Sequence, residues 1–276
     1  MKTKRNHAFT LIELLVVITI IAILAGLAVP TYNIIQRLAN QLKGAKNARQ
    51  IIASMKLFSK EHNSQYPDSV PNPLTGSIAQ NANEAFRLMI QEKIVTDERI
   101  FGCPAGLNPD TSIGQGPDYG TALMPGENHW AMTAGQTDTA AGNMPIVFEN
   151  PVSPTWPPLW NANVSGQIAP GRTWPGGKII IGRNDGSVAV ETLADTKGMV
   201  GPRAMAGGVN LFTQASDGIP QRVLPVVYGN IGGPIKSPPH DPIAAPSPVP
   251  PPALNGAPPA LAGVPGVPGG LPPSGL

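Results

Sequence analysis

The apolar pattern at the start of the chain predicts one long helix in two halves. Residues 9–29 form a run of 21 residues in which Glu13 is the single charged side chain. As a helix, this run is about 31 Å long, enough to cross the hydrocarbon core of a bilayer. We therefore predict a transmembrane segment at 9–30 and an amphipathic continuation at 31–63. In the continuation, apolar side chains recur at steps of three and four and predict one stripe that a domain must cover, formed by Ile35, Leu38, Leu42, Ala45, Ile52, Met55 and Leu57 or Phe58.

The following part of the chain predicts a small domain, which we place at 64–233. Asn81, with Glu84 three residues later, predicts the start of a short second helix that runs through Val95. KIIIGRNDGSVAVETL (178–193) consists of two strand-like runs around R-N-D-G, which is a signal for a β-hairpin. The predicted fold class is α+β, with the long N-terminal helix packed on a small antiparallel sheet domain.

The last part of the chain differs in composition from the rest. Residues 234–276 contain 15 prolines, and no residue after Asp241 is charged. Sequence of this kind cannot build a packed core and favours an extended, hydrated backbone. We predict a disordered Pro/Gly-rich tail at 234–276, and docking to a proline-binding partner is the alternative.

Composition and charge exclude some classes of protein. The chain has 31 glycines and 33 prolines, and 13% of its residues are charged, about half of the usual share. The domain should therefore be rich in loops. A net charge of +2, without a basic motif interleaved with aromatic residues, does not indicate a nucleic-acid partner. The single cysteine, Cys103, excludes an intrachain disulfide.

Glu13 is the most informative residue of the apolar run. A carboxylate a turn inside a bilayer costs about 2.5–3.5 kcal/mol on insertion scales, and such residues are usually paired. One interpretation is that Glu13 reaches out to the headgroups. The other requires a cation, and a cut between Ala8 and Phe9 would create one, the α-amine of Phe9. Within one chain, the amine and Glu13 lie one turn apart and could pair with each other. Two chains packed side by side could instead exchange these partners and fix their register.

Two other interpretations of the apolar segment compete with a membrane span. A secretory signal peptide has a shorter apolar region and an A-x-A-like site, and a buried soluble helix is rarely so apolar over this length. Both fit less well. Basic residues flank the run on both sides and leave its orientation undecided. Those on the amphipathic half form either a solvated face or a contact with lipid headgroups or acidic neighbours; they are Arg37, Lys43, Lys46, Arg49, Lys56 and Lys60.

A short basic leader, a small residue and then FTLIELLVVITIIAILAGLAVP closely resemble the amino-terminal motif of type IV pilins and type II secretion pseudopilins, over residues 2–30. The resemblance implies that a prepilin peptidase cuts after Ala8 and methylates the amine of Phe9. It implies that Glu13 recruits and aligns subunits and that Pro30 kinks the helix. The family usually has Gly before the cut, so Ala8 predicts slower cleavage.

The helix is expected to bend or melt locally between Gly26 and Pro30. Proline removes one helix hydrogen bond, and glycine has a low helix propensity. In a filament, this weakened stretch of helix would let the subunit lengthen under tension.

The resemblance also implies location and partners. It places the protein in the bacterial inner membrane as a single-pass protein, with the N-terminus cytoplasmic and the globular domain periplasmic. It implies a homo- or hetero-polymer with other pilin-like subunits, built by an assembly platform and ATPase. The order after the helix is similar to that of pseudopilins, and a carboxyl-terminal disulfide is missing. We therefore favour a type II secretion pseudopilus over a type IV pilus.

A search for catalytic chemistry gives no site. The histidines at 7, 62, 129 and 240 have no metal-ligand spacing, and we expect Cys103 to have no nearby histidine to activate it. We predict a structural protein, not an enzyme, without cofactor. A calcium site remains an alternative, because some pseudopilins bind Ca²⁺ near the carboxyl end. Asn184-Asp185-Gly186 is nevertheless better interpreted as a hairpin turn than as a calcium-binding loop. Two alternatives remain, namely an anchored periplasmic binding protein that does not polymerise and a secreted enzyme behind a signal peptide.

Overall fold

The computed structural model describes residues 10–203 and 208–229. Helix α1 (Leu11–Glu61) is one unbroken helix of 51 residues, as the two-part apolar pattern predicts. It ends where the amide of His62 donates to the carbonyl of Ser59 (3.2 Å). The leader residues, the cleavage site and the predicted tail lie outside the described residues.

The second helix, α2 (Ala82–Gln91), begins as predicted. The side chain of Asn81 accepts a hydrogen bond from the amide of Glu84 (3.0 Å), which satisfies one of the free donors of the first turn. The helix ends four residues before the predicted Val95, because Lys93 adopts a positive φ of 60° that a helix cannot include. A 3₁₀ helix, Glu98–Phe101, follows.

The strands of the described residues are β1 (Trp130–Thr133), β2 (Pro145–Glu149), β3 (Trp160–Asn161), β4 (Lys178–Arg183), β5 (Val188–Thr192), β6 (Met199–Val200) and β7 (Val223–Leu224). Five of them form an antiparallel sheet in the order β5-β4-β2-β1-β7. The predicted hairpin is present and is formed by β4 and β5 around the R-N-D-G turn. Beside the sheet lie a separate pair, β3 and β6, and a short helix, α3 (Leu211–Ala215).

The sheet is the middle layer of the domain, which explains why β2 is buried along its whole length. One face packs against α1 and α2, with Ile52, Trp130 and Ile180 in the shared core. The other face packs against a second cluster that includes Phe148 and Phe212.

Helix α1 lies close to the sheet at Gly44. A Cβ there would lie 2.8 Å from Cδ1 of Ile180 and 3.1 Å from Sγ of Cys103. A larger residue would require these side chains to shift.

The single apolar stripe predicted for the second half of α1 is wrong, because the structure divides it between two faces. Ile52 and Met55 are buried in the domain, whereas Ile35, Leu38 and Leu42 are exposed. At about 100° per residue, the exposed set is centred about 145° around the helix from the set that the domain buries. The buried set comprises Gly44, Asn47, Ala48, Ile51, Ile52, Met55, Phe58 and Ser59. The domain therefore covers only one side of α1.

Candidate assembly site on the long helix

Glu13 forms a capping box with the N-cap residue Thr10. The amide and the hydroxyl of Thr10 both donate to Oε2 of Glu13, each at 2.8 Å, and the amide of Glu13 donates to Oγ1 of Thr10 at 3.3 Å. An acidic side chain in the first turn also interacts favourably with the helix dipole. Sequence analysis missed this second role of Glu13, although T-x-x-E at 10–13 is its signature.

The capping box does not replace the role expected from the resemblance. Thr10 supplies two donors but no positive charge, so it does not neutralise the carboxylate of Glu13, which is exposed in the single chain. A cation is still needed to neutralise it inside a bilayer. The proposed source, the amine of Phe9, and the cleavage position Ala8 lie outside the described residues and stay predictions.

Gly26 and Pro30 both lie within α1, which continues through them as helix. No heavy atom comes within 4 Å of a Cβ built at Gly26, so packing does not require a glycine there. A kink or softening at these two positions stays a prediction.

Among the described residues, α1 is the one helix that is long and apolar enough to cross a membrane, and none of its most apolar 18-residue window is buried. This is consistent with membrane anchoring. Exposed large apolar side chains also occur beyond the length of a span, however. Along the helix axis, Leu42 lies about 47 Å from Leu11, against about 30 Å for the hydrocarbon core.

The excess lies between the span and the domain. Ile35, Leu38 and Leu42 recur at steps of three and four and are 56–61% exposed, and Ile34 adjoins them. We call these four residues the juxtamembrane stripe. Large apolar side chains that adjoin one another on a surface mark interaction sites. Sequence analysis identified three of the four residues but assigned them to the domain core.

Comparison with protein families places a motif on this helix. Residues 3–29 match the prokaryotic N-terminal methylation motif, which is the signature of type IV pilins and pseudopilins. Together with the exposed apolar helix and the antiparallel sheet, it gives the chain an α+β, pilin-like layout. The motif implies processing by a prepilin peptidase and assembly with other pilin-like subunits, and it points to a structural protein. Comparisons with curated proteins and with solved structures gave no match.

The fold also assembles a buried polar cluster that sequence analysis missed. The expectation that Cys103 has no histidine nearby is wrong, because ligand atoms of Cys103, His129 and Glu149 lie within 4.8 Å of one another. Glu149 accepts hydrogen bonds from Nε2 of His129 (3.0 Å), Nε1 of Trp174 (2.9 Å) and the amide of Ile180 (2.9 Å). The cluster joins residues that no sequence motif connects.

The contacts of this cluster indicate a structural role and not a metal site. Both oxygens of Glu149 already accept hydrogen bonds, and the buried guanidinium of Arg172 lies 3.9 Å from Oε1. That positive charge opposes a metal ion at the same place. Burial raises the pKa of the Cys103 thiol to about 12, so it is a poor metal ligand and nucleophile at neutral pH. We assign the cluster to the attachment of the Cys103–Pro104 turn to the sheet.

The hairpin turn confirms the interpretation of residues 184–186. Asn184 is buried, and Nδ2 of its side chain donates to the carbonyl of Ala140 (2.7 Å). Oδ1 of Asp185 accepts from the amide of Ser187 (2.8 Å), and Gly186 takes a φ of 88°. These are the contacts of a turn that closes a hairpin.

Proposed function

We propose that the protein is a structural subunit of a type II secretion pseudopilus or a type IV pilus-like filament. A prepilin peptidase would process it at the inner membrane, and an assembly platform and ATPase would polymerise it. The observation that carries the proposal is the juxtamembrane stripe, on the same helix as the methylation motif. An anchor alone does not need exposed apolar side chains up to about 17 Å beyond the length of a span.

The position of the juxtamembrane stripe also indicates how neighbouring subunits would pack. It lies on the side of α1 opposite the face that the domain buries, so the protein's own domain does not cover it. A helix from a neighbouring subunit could cover it by ridges-into-grooves packing. The helices would then form the filament core, and the 64–233 domains its outer surface.

A pseudopilus is the form that we favour. The chain has one cysteine, and Cys103 is buried and unpaired, so the domain holds no disulfide. The order of long helix, short helix, Cys-Pro turn and sheet also agrees with the pseudopilin-like order noted in the sequence.

One observation favours the alternative of an anchored binding protein that does not polymerise. A groove of about 560 Å³ lies between the 67–80 loop and α2. Its lining is mixed, with Val70 and Leu74 beside Asn72 and Gln91. A groove of this kind accepts a small ligand or a peptide segment.

The juxtamembrane stripe separates the two functions experimentally. We expect Leu38→Glu to reduce incorporation into filaments by about tenfold or more, since a carboxylate buried without a partner at a helix contact costs more than about 1.4 kcal/mol. The thermal unfolding of the domain should not change, because Leu38 is exposed in the single chain. The measurement is crosslinking of subunits in cells.

The matched control is Asn33→Glu. It adds the same carboxylate to an exposed position on a different face of the helix, and we expect a much smaller effect. Normal incorporation of the Leu38→Glu protein would contradict the proposed packing and favour the binding protein.

A further inference from the structure

Three carboxylates from distant parts of the sequence meet at one place in the domain. Glu98 comes from the 3₁₀ helix, Asp110 from the loop after the Cys-Pro turn, and Glu127 from the turn before β1. One oxygen of each lies within 4.8 Å of the others. Two oxygens that are both 2.4 Å from one ion can be at most about 4.8 Å apart, so the cluster has the dimensions of a calcium site.

Glu98 provides a second, independent observation. Its side chain is 1% exposed, and Oε2 accepts a hydrogen bond from the amide of Leu123 at 3.2 Å. Oε1 is buried and accepts no hydrogen bond of normal geometry, although the amides of Thr111 and Ser112 lie near the carboxylate. A buried carboxylate oxygen without a partner is costly, and native proteins rarely leave one unsatisfied. Something that Glu98 can bind through Oε1 would remove this cost.

The electrostatics point to a cation. Three carboxylate oxygens lie within 4.8 Å of one another, and Glu98 is buried, where water screens charge least. Arg99, the basic residue next to Glu98, is held by Asp97 at 2.6 Å. The three carboxylates therefore repel one another in the folded protein, and a divalent cation would turn this repulsion into attraction.

We propose that Glu98, Asp110 and Glu127 form a Ca²⁺ site. All three donors are oxygens, which suit calcium and do not suit zinc, and carboxylates can bind calcium through one or two oxygens each. Asp110 is exposed, so water can complete the six to eight ligands that calcium takes. The buried Cys103–His129–Glu149 cluster is not suited to calcium. Both oxygens of its carboxylate already accept hydrogen bonds, and the guanidinium of Arg172 lies 3.9 Å from one of them.

The site would fasten a part of the domain that has no regular structure. Residues 102–129, between the 3₁₀ helix and β1, contain no helix or strand. Asp110 lies inside this segment and Glu127 near its end, and Glu98 anchors both to the 3₁₀ helix. Calcium would thus hold the loop on the domain, at a position well before the carboxyl end.

Thermal unfolding of the full chain in detergent tests the site. Extracellular calcium modules bind with dissociation constants of about 0.1–1 mM. About 10 mM Ca²⁺ should therefore raise Tm by about 3–6 °C relative to a chelator, and Mg²⁺ should raise it much less. No shift with Ca²⁺ in the unmodified chain would overturn the proposal.

Asp110→Asn and Asp118→Asn form a matched pair, because both replace an exposed aspartate of the same loop. Asparagine at 110 can still accept the hydrogen bond from the amide of Ser112 that Asp110 accepts now (2.7 Å). We expect Asp110→Asn to abolish the calcium shift and Asp118→Asn to retain it. Equal shifts in both variants would show a general ionic effect and overturn the site.

Glu127→Gln gives a second signature that a purely structural role would not give. In chelator, the variant should unfold at a Tm equal to or above that of the unmodified chain, because it relieves repulsion. In calcium, it should unfold at a lower Tm than the unmodified chain. A lower Tm in both conditions by the same amount would count against calcium binding.

Discussion

Glu13→Gln is expected to leave cleavage after Ala8 intact and to reduce incorporation into filaments by about tenfold or more. The amide cannot pair with the charged amine of Phe9 in a neighbouring subunit, so the attraction that would set the register is lost. Cleavage should persist, because Glu13 lies several residues beyond the cut. The measurements are the size of the processed chain and co-assembly by crosslinking.

The capping box supplies the control for this experiment. Thr10→Ala removes the N-cap at a cost of about 0.5–2 kcal/mol but keeps the charge of Glu13. Glu13→Gln keeps an oxygen that can accept from Thr10 but removes the charge. If charge pairing is the role of Glu13, Thr10→Ala assembles and Glu13→Gln does not. The opposite result would show that Glu13 acts only as a cap.

Glu149→Ala is expected to destabilise the domain by about 3–5 kcal/mol. The change leaves the buried Arg172 without its nearby negative charge, and it removes the acceptor for His129 and Trp174. Unpaired buried charge is among the few causes of so large an effect. Denaturant unfolding of the full chain in detergent measures it.

Glu191→Ala is the matched control, because Glu191 also pairs with an arginine, Arg183, but at a partly exposed position. Exposed and partly exposed ion pairs contribute about 0–1 kcal/mol. Equal losses of stability for the two variants would show that the buried network is not a main support of the fold.

Local signals account for the elements that the sequence predicted well. The start of α2 follows from Asn81 and Glu84, which meet through one side chain-to-backbone hydrogen bond. The β4–β5 hairpin follows from the turn residues around Asp185 and Gly186. The length of α1 follows from the apolar run of its first half and from the apolar residues at steps of three and four in its second half. None of these depends on contacts between distant parts of the chain.

Contacts between residues that are far apart in the sequence could not be predicted from the sequence. Cys103 and His129 are 26 positions apart, and the sheet order that brings them together has no local signature. The same is true of Glu98, Asp110 and Glu127, which share no motif spacing. The two faces of α1 were merged for a related reason: periodicity shows that a helix has apolar sides but does not show which side a domain covers.

The account depends most on the processing of the N-terminus, because the cation that would pair with Glu13 exists only after cleavage. Mass spectrometry of the protein purified from its native membrane tests this directly. The account predicts a chain that begins with N-methylated Phe9. A functional protein that retains Met1 and the intact leader would contradict it.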